Sequence, residues 1–319
     1  MIKEKRDTQA FSPLDGGVLD DVPPVAPKDI KGEDKGPFSS FWVRTLTGLL
    51  YVCVIVGCII AGPMYCIIMF GLLTGLLTWE FCTLINGGLH LSVNRFITTV
   101  ASVYLYFCIF DFTVGLTGKG VGVFIPFVLT VMYLLISEMY FPGYRKIENW
   151  AFSFMSFLYI SLPMSMVHFL SFISSSEGIN YSWILLLSVF IFLWVSDSGA
   201  YLIGSQFGRH RLFPSISPKK SWEGSIGGGL LAMIASQLIA TWNHDMSSES
   251  EFLNRLLWLG LALTVVVFGT WGDLVESRLK RKLGVKDSGN ILPGHGGWLD
   301  RLDSALLAIP AAVIYLYLI

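Results

Sequence analysis

From Arg44 onward the chain alternates long apolar runs with short polar breaks. Each run is long enough to cross a hydrocarbon core of roughly 30 Å, which takes about 20 helical residues. Nine helices are predicted on this pattern, at 44–62, 64–86, 95–112, 121–141, 150–173, 181–203, 225–243, 252–275 and 303–319. Gly62 and Pro63 mark the first break, and the run from Phe96 to Phe110 is amphipathic rather than uniformly apolar. The expected fold class is all-α, a polytopic transmembrane helical bundle of about nine helices. Residues 1–40 are polar, rich in Pro, Gly, Asp and Lys, and contain no apolar core of a signal peptide. They read as a disordered cytoplasmic tail ahead of a membrane domain at 41–319.

The positions of Lys and Arg test the count, because cytoplasmic segments are enriched in them. All but two of the 22 Lys and Arg fall in the segment ending at Arg44 or in alternate breaks: Arg95, Arg145 with Lys146, the 204–224 loop and the 276–302 loop. The exceptions are Lys119 and Arg255, and the break near 245 is acidic, with Asp245, Glu249 and Glu251. This alternation places the N-terminus in the cytoplasm. No inverted repeat of the transporter kind is visible.

Composition agrees with a bilayer as solvent. Hydrophobic residues make up 53% of the 319, charged residues 14%, and the mean hydropathy is +0.62. A net charge of −1 offers no basic excess for nucleic acid, which is excluded as a partner. Cys53, Cys58, Cys66, Cys82 and Cys108 all lie in apolar runs, without the CxxC spacing or flanking His of a zinc site, and read as buried thiols.

The unusual polar residues gather in two loops of the C-terminal third. The first cluster runs from Trp194 to Gly224 and includes WVSDSGAY and, from Ile216, ISPKKSWEG. Asp197 is an acid inside an apolar helix, where a carboxylate costs roughly 2.5–3.5 kcal/mol at the bilayer centre and so usually has a partner or a task. The plainer reading is a helix-end carboxylate solvated at the interface. Lys219 and Lys220, after Ser217 and Pro218, precede the small residues of the seventh helix and suit an anion site at a helix N-terminus; ordinary positive-inside lysine is the alternative.

The second cluster runs from Gly272 to Asp303, GDLVESRLKRKLGVKDSGNILPGHGGWLDRLD. Asp273, Ser277 and Lys280 are spaced to share one helical face. Arg281, Lys286 and Asp287 follow. Pro293, Gly294, Gly296 and Gly297 surround His295 in a segment suited to backbone approaching phosphate. Asp300, Arg301 and Asp303 open the last helix, where a capping role is the plainer reading for either acid. A lone His beside glycines is more often structural than a base, and Glu80 and Glu138 carry no assigned role.

From Ser277 to Asp303 the chain resembles the phosphatidate cytidylyltransferase family, on Ser277, Lys280, Arg281, Lys286, Asp287, Gly289, Pro293, His295, Gly296, Gly297, Asp300, Arg301 and Asp303. Asp197 with Tyr201, and Ser217 to Gly224, are similar as well, so the family motifs occupy 194–303 and mark 41–319 as the catalytic domain. Trp298 and Ser221 depart from the usual residue types without removing a charge or hydroxyl. The resemblance implies a nucleotidyltransferase that moves CMP from CTP to phosphatidate, giving CDP-diacylglycerol and pyrophosphate for phospholipid biosynthesis, with the bilayer as surroundings and its active site at the cytoplasmic face.

On this reading Asp197, Lys219, Lys220, Asp273, Ser277, Lys280, Arg281 and Asp300 are catalytic. Ser217, Lys286, Asp287, His295 and Arg301 bind substrate. Asp273 and Asp300, supported by Asp303, hold Mg²⁺. The nature of a second cation, divalent or K⁺, and a homodimeric assembly stay open. The rivals are a CTP-dependent lipid kinase, a cytidylyltransferase for another lipid, and a cation-coupled transporter.

Overall fold

The structure, a computed structural model, describes residues 37–140, 147–175, 178–243, 250–289 and 296–319. Its helices are α1 (Pro37–Ala61), α2 (Pro63–Leu89), α3 (Arg95–Val114), α4 (Ile125–Tyr140), α5 (Ile147–Ser171), α6 (Ile184–Phe207), α7 (Trp222–Trp242), α8 (Glu251–Lys282) and α9 (Leu299–Leu318). Among the described residues eight helices are long and apolar enough to cross a membrane, and Thr45–Ala61 of α1 is a shorter apolar stretch. The chain is a multi-pass membrane protein with an all-helical bundle.

The break between α1 and α2 is real: Gly62 has φ 127° and Pro63 stands at the first helical position, where its missing N–H costs nothing. Three boundaries differ from the sequence expectation for physical reasons. Helix α1 begins at Pro37, ahead of the first apolar run and inside the stretch assigned to the tail, whose residues 1–36 lie outside the described residues. Helix α8 continues past 275 because Glu, Leu, Lys and Arg, which dominate 276–282, are good helix formers even where hydropathy collapses. Helix α9 starts at Leu299, so Asp300 lies in its first turn. Two short antiparallel hairpins were not expected: β1 (Phe172–Ser175) with β2 (Gly178–Tyr181), and β3 (Arg211–Phe213) with β4 (Ser217–Ser221).

The core is shared by α2, α6, α8 and α9. Phe70 and Phe81, Phe190 and Phe192, Trp258, and Leu302 with Ile309 are fully buried. Hydroxyls inside the bundle are satisfied by their own helix, as where Thr74 Oγ1 donates to the Phe70 carbonyl at 2.8 Å and Thr78 Oγ1 to that of Thr74 at 2.8 Å. That is what a medium without water demands.

Helices α6 and α7 pack more extensively than any other pair, and small residues make this possible. Gly224 and Gly228, four residues apart on α7, face Ala200 and Ser196 on α6; a Cβ on Gly224 would lie 2.7 Å from the Ala200 carbonyl oxygen, and one on Gly228 would overlap the Ser196 carbonyl and lie 2.9 Å from the Ala200 nitrogen. Close backbone approach at small residues is the usual source of helix association in lipid. Gly228→Ala is therefore expected to cost about 1–3 kcal/mol or more, seen as a lowered unfolding midpoint in detergent. A midpoint equal to the parent's would refute the close contact.

Candidate active site

The loop from α6 to α7 is pinned before it delivers its lysines. His210 donates its backbone N–H to Glu223 Oε1 at 3.1 Å, and its Nδ1 lies 2.6 Å from the same oxygen. Trp222 N–H donates to the His210 carbonyl at 2.9 Å. In the β3–β4 hairpin Arg211 is paired with Ser221 and Phe213 with Ser217. Ser221 caps α7, its Oγ accepting from Gly224 N–H at 3.2 Å. Ser217 opens β4 half-buried, and Lys219 and Lys220 lie within it just ahead of Ser221, the α7 cap, Lys219 exposed and Lys220 partly buried.

Lys220 pairs with Asp273 Oδ2 on α8, and Ser277 Oγ donates to Asp273 Oδ1 at 3.1 Å. One turn on, Lys280 pairs with Glu276, whose side chain is fully buried, and reaches Asp300 Oδ1 at 2.6 Å. Arg281 is exposed, its Nη1 donating to the Val285 carbonyl at 3.3 Å, and Lys286 and Asp287 are exposed after it.

At the start of α9, Asp300 Oδ2 accepts the N–H of Ser288 at 2.9 Å and of Gly297 at 2.8 Å. Gly296 has φ 79°, a left-handed conformation that glycine adopts freely, and it turns the Gly297 N–H onto the carboxylate. Asp303 Oδ1 accepts from Ser304 N–H at 2.7 Å. Here α8 and α9 touch: a Cβ on Gly272 would lie 2.6 Å from the Asp303 carbonyl oxygen and 3.0 Å from Ser304 Cα.

Asp197, Asp300, Arg301, Asp303 and Ser304 form the polar side of a cavity of about 350 Å³ whose other wall is apolar, with Phe190, Leu193 and Trp194; Tyr51 of α1 also borders it, its hydroxyl donating to the Arg301 carbonyl at 3.1 Å. Asp197 stands within electrostatic reach of Lys220 and Asp273, and Asp303 within reach of Asp273. The structure thus gathers Asp197, Lys220, Asp273, Ser277, Lys280, Asp300, Arg301 and Asp303. Lys219, Arg281, Lys286 and Asp287 lie on the exposed margin. His295, with Pro293 and Gly294, lies outside the described residues, as does the Glu138 side chain.

Sequence reasoning missed two acids. Glu276 was legible as the partner four residues before Lys280. Glu80 of α2 accepts from Trp298 N–H at 2.8 Å and from Ser288 Oγ, a contact across 208 positions that no local pattern announces. Among the described residues no three His, Cys, Asp or Glu side chains form a ready metal-ligand group. The acids of the cluster offer carboxylate oxygens, the chemistry that suits a hard divalent cation, and lysine ammonium groups lie beside Asp273 and Asp300.

Comparison with known proteins bears on the family. A model of the "Cytidylyltransferase family" matches residues 42–319. The phosphatidate cytidylyltransferase of Staphylococcus aureus (strain COL) is 33% identical over 277 residues, covering 86% of this chain and 98% of that protein. Its counterpart in Staphylococcus epidermidis is 33% identical over 279 residues with the same coverage. That of Staphylococcus saprophyticus is 40% identical over 168 residues, 52% of this chain and 58% of that protein. With the match running from α1 to the end of α9 and the charged cluster assembled inside it, the chain belongs to the cytidylyltransferase family.

Proposed function

We propose that this chain is a phosphatidate cytidylyltransferase, transferring CMP from CTP to phosphatidate and releasing pyrophosphate, with its active site at the cytoplasmic face. The observation that carries the reading is the convergence, inside a membrane bundle, of Asp197, Asp300, Asp303 and Arg301 around one cavity, with Lys280 on Asp300 and the Lys220–Asp273 pair within electrostatic reach of Asp197. A phosphate monoester is already anionic near neutral pH, so its oxygen needs little help from a base to attack the α-phosphorus of CTP. What it needs is neutralisation of two polyanions brought together.

Lys219 and Lys220, at the N-terminus of α7, hold the triphosphate. Lys280, Arg281, Lys286 and Arg301 take the remaining phosphate charge, and Ser217, Asp287 and His295 complete the substrate contacts. Asp273 and Asp300, with Asp303 in support and Asp197 beside them, hold Mg²⁺, which when bound polarises phosphoryl oxygens and offsets their charge. A second cation, divalent or K⁺, and a homodimer remain compatible with this reading. CTP phosphates bound at Lys220 would compete with Asp273 for its ammonium, and Asp273 would then be free to serve as a cation ligand. An apolar groove of about 510 Å³ between α5, α8 and α9, lined by Leu306 and Leu307 that follow Ser304 on α9, is suited to phosphatidate acyl chains.

Purified protein mixed with CTP, Mg²⁺ and phosphatidate is expected to give CDP-diacylglycerol and pyrophosphate; CDP and a phosphorylated lipid would mean a kinase instead. Lys219→Ala and Lys220→Ala are expected to raise the KM for CTP more than that for phosphatidate. The loss of a charged hydrogen bond, roughly 1.5–3 kcal/mol, corresponds to about tenfold or more at 1.4 kcal/mol per decade. An unchanged CTP KM in both variants would remove these lysines from the triphosphate site.

A further inference from the structure

Glu80 stands on α2, in the half of the chain where the motifs of the charged cluster are missing. Its residue is only 4% exposed. A carboxylate at such a place is costly unless satisfied, and this one is satisfied from a single direction. Ser288 Oγ donates to Oε1, Trp298 N–H to Oε2 at 2.8 Å and Leu299 N–H to Oε1 at 3.4 Å. These donors come from the two short stretches on either side of residues 290–295, and the same stretches supply the two N–H groups that hold Asp300 Oδ2. The small residues there leave room for it: a Cβ on Gly297 would overlap Glu80 Oε1, and one on Gly289 would lie 3.1 Å from its carboxyl carbon.

We propose that Glu80 is a positioning residue of the active site: it caps the start of α9 and ties Ser288 to Trp298, so that Asp300 and Arg301 are presented at a fixed place and angle. Asp300 accepts backbone N–H groups from both of these segments and is itself held by Lys280 of α8, while Glu80 binds the same segments from α2. Without the interior anchor, the Ser288 and Gly297 N–H groups lose their fixed spacing and Asp300 loses its orientation toward Lys280. Partners that orient a reacting group in this way are commonly worth about 10- to 100-fold in activity or metal affinity. The lysines assigned to CTP ride on the α6–α7 loop and have no contact with Glu80, so the effect falls on kcat rather than on the CTP KM.

This inference rests on the cytidylyltransferase reading for its kinetic measurement, and the experiment separates the two. Full-length parent, Glu80→Ala, Glu80→Gln, Ser288→Ala and the Glu80→Ala/Ser288→Ala double variant are assayed per folded protein for CDP-diacylglycerol formation, and amide exchange is followed at residues 296–299. The expected result is a kcat lowered about 10- to 100-fold in Glu80→Ala with the CTP KM nearly unchanged, partial recovery in Glu80→Gln, and no further loss when Ser288→Ala is added. The Trp298 and Leu299 amides exchange faster in Glu80→Ala. Parental kcat per folded molecule in Glu80→Ala, or losses that simply multiply in the double variant, would overturn the proposal. An inactive parent would overturn the cytidylyltransferase reading while the exchange measurement still decided whether Glu80 anchors α9; unchanged exchange would then refute the anchor.

Discussion

Asp273→Asn protein that inserts and folds like its parent is expected to lose at least roughly 10²- to 10³-fold in turnover, the size attached to one group that stabilises charge in the transition state. The substitution keeps size and an oxygen to accept from Ser277 Oγ, now at 3.1 Å, and removes only the charge. That charge has two roles in the proposed cycle, holding Lys220 before nucleotide arrives and holding Mg²⁺ afterwards. Asp300→Asn is expected to be as severe, because its carboxylate faces Lys280 at 2.6 Å on one side and two backbone N–H groups on the other. Initial rates across a Mg²⁺ titration separate the roles. A lowered rate at every concentration with the parental Mg²⁺ midpoint would assign the two acids to the lysines alone, and near-parental turnover with unchanged Mg²⁺ dependence would end the metal assignment.

The second large effect concerns stability. Lys280 is 8% exposed and lies between Glu276, which is fully buried, and Asp300. Lys280→Met fills similar space and leaves Glu276 charged with no cation beside it. Removing one partner of a buried pair costs about 3–5 kcal/mol, enough to lower the thermal midpoint in detergent by roughly 10 °C at 2–4 °C per kcal/mol. Adding Glu276→Gln removes the stranded charge, so the double variant is expected to regain most of the lost midpoint. Turnover is expected to stay low in both, since Asp300 has lost its ammonium partner. A double variant no more stable than Lys280→Met would show that Glu276 is not what Lys280 compensates.

Much of this architecture was legible because a bilayer imposes one length and one secondary structure on every crossing. The predicted run at 225–243 and the observed Trp222–Trp242 agree for that reason. The misses have equally local causes. A hairpin as short as Arg211–Phe213 with Ser217–Ser221 carries too few alternating positions to stand out. Helix α8 outruns its apolar stretch because membrane patterning and helix propensity part company at Glu276. In the site, spacing along one helix placed Asp273 beside Ser277. The lysines beside these acids, Lys220 on Asp273 and Lys280 on Asp300, were not legible, because those pairings depend on how α7, α8 and α9 meet. Glu80 was visible as an acid in an apolar helix, but its partners are more than 200 positions away, and only the packing of α2 against the start of α9 reveals them.

The glycine contact between α6 and α7 has a mechanical meaning. With backbone against backbone at Gly228 and Ser196, these two helices form one jaw, carrying Asp197, Lys219 and Lys220. Helices α8 and α9, in contact at Gly272 and Ser304, form the other, carrying Asp273, Lys280, Asp300 and Asp303. Among the described residues the ion pair that spans the two jaws is Lys220 with Asp273. It is made of the same ammonium that the proposed triphosphate site uses, so nucleotide bound there would exchange this one ionic link while the apolar packing of α7 and α6 against α8 holds the two jaws together.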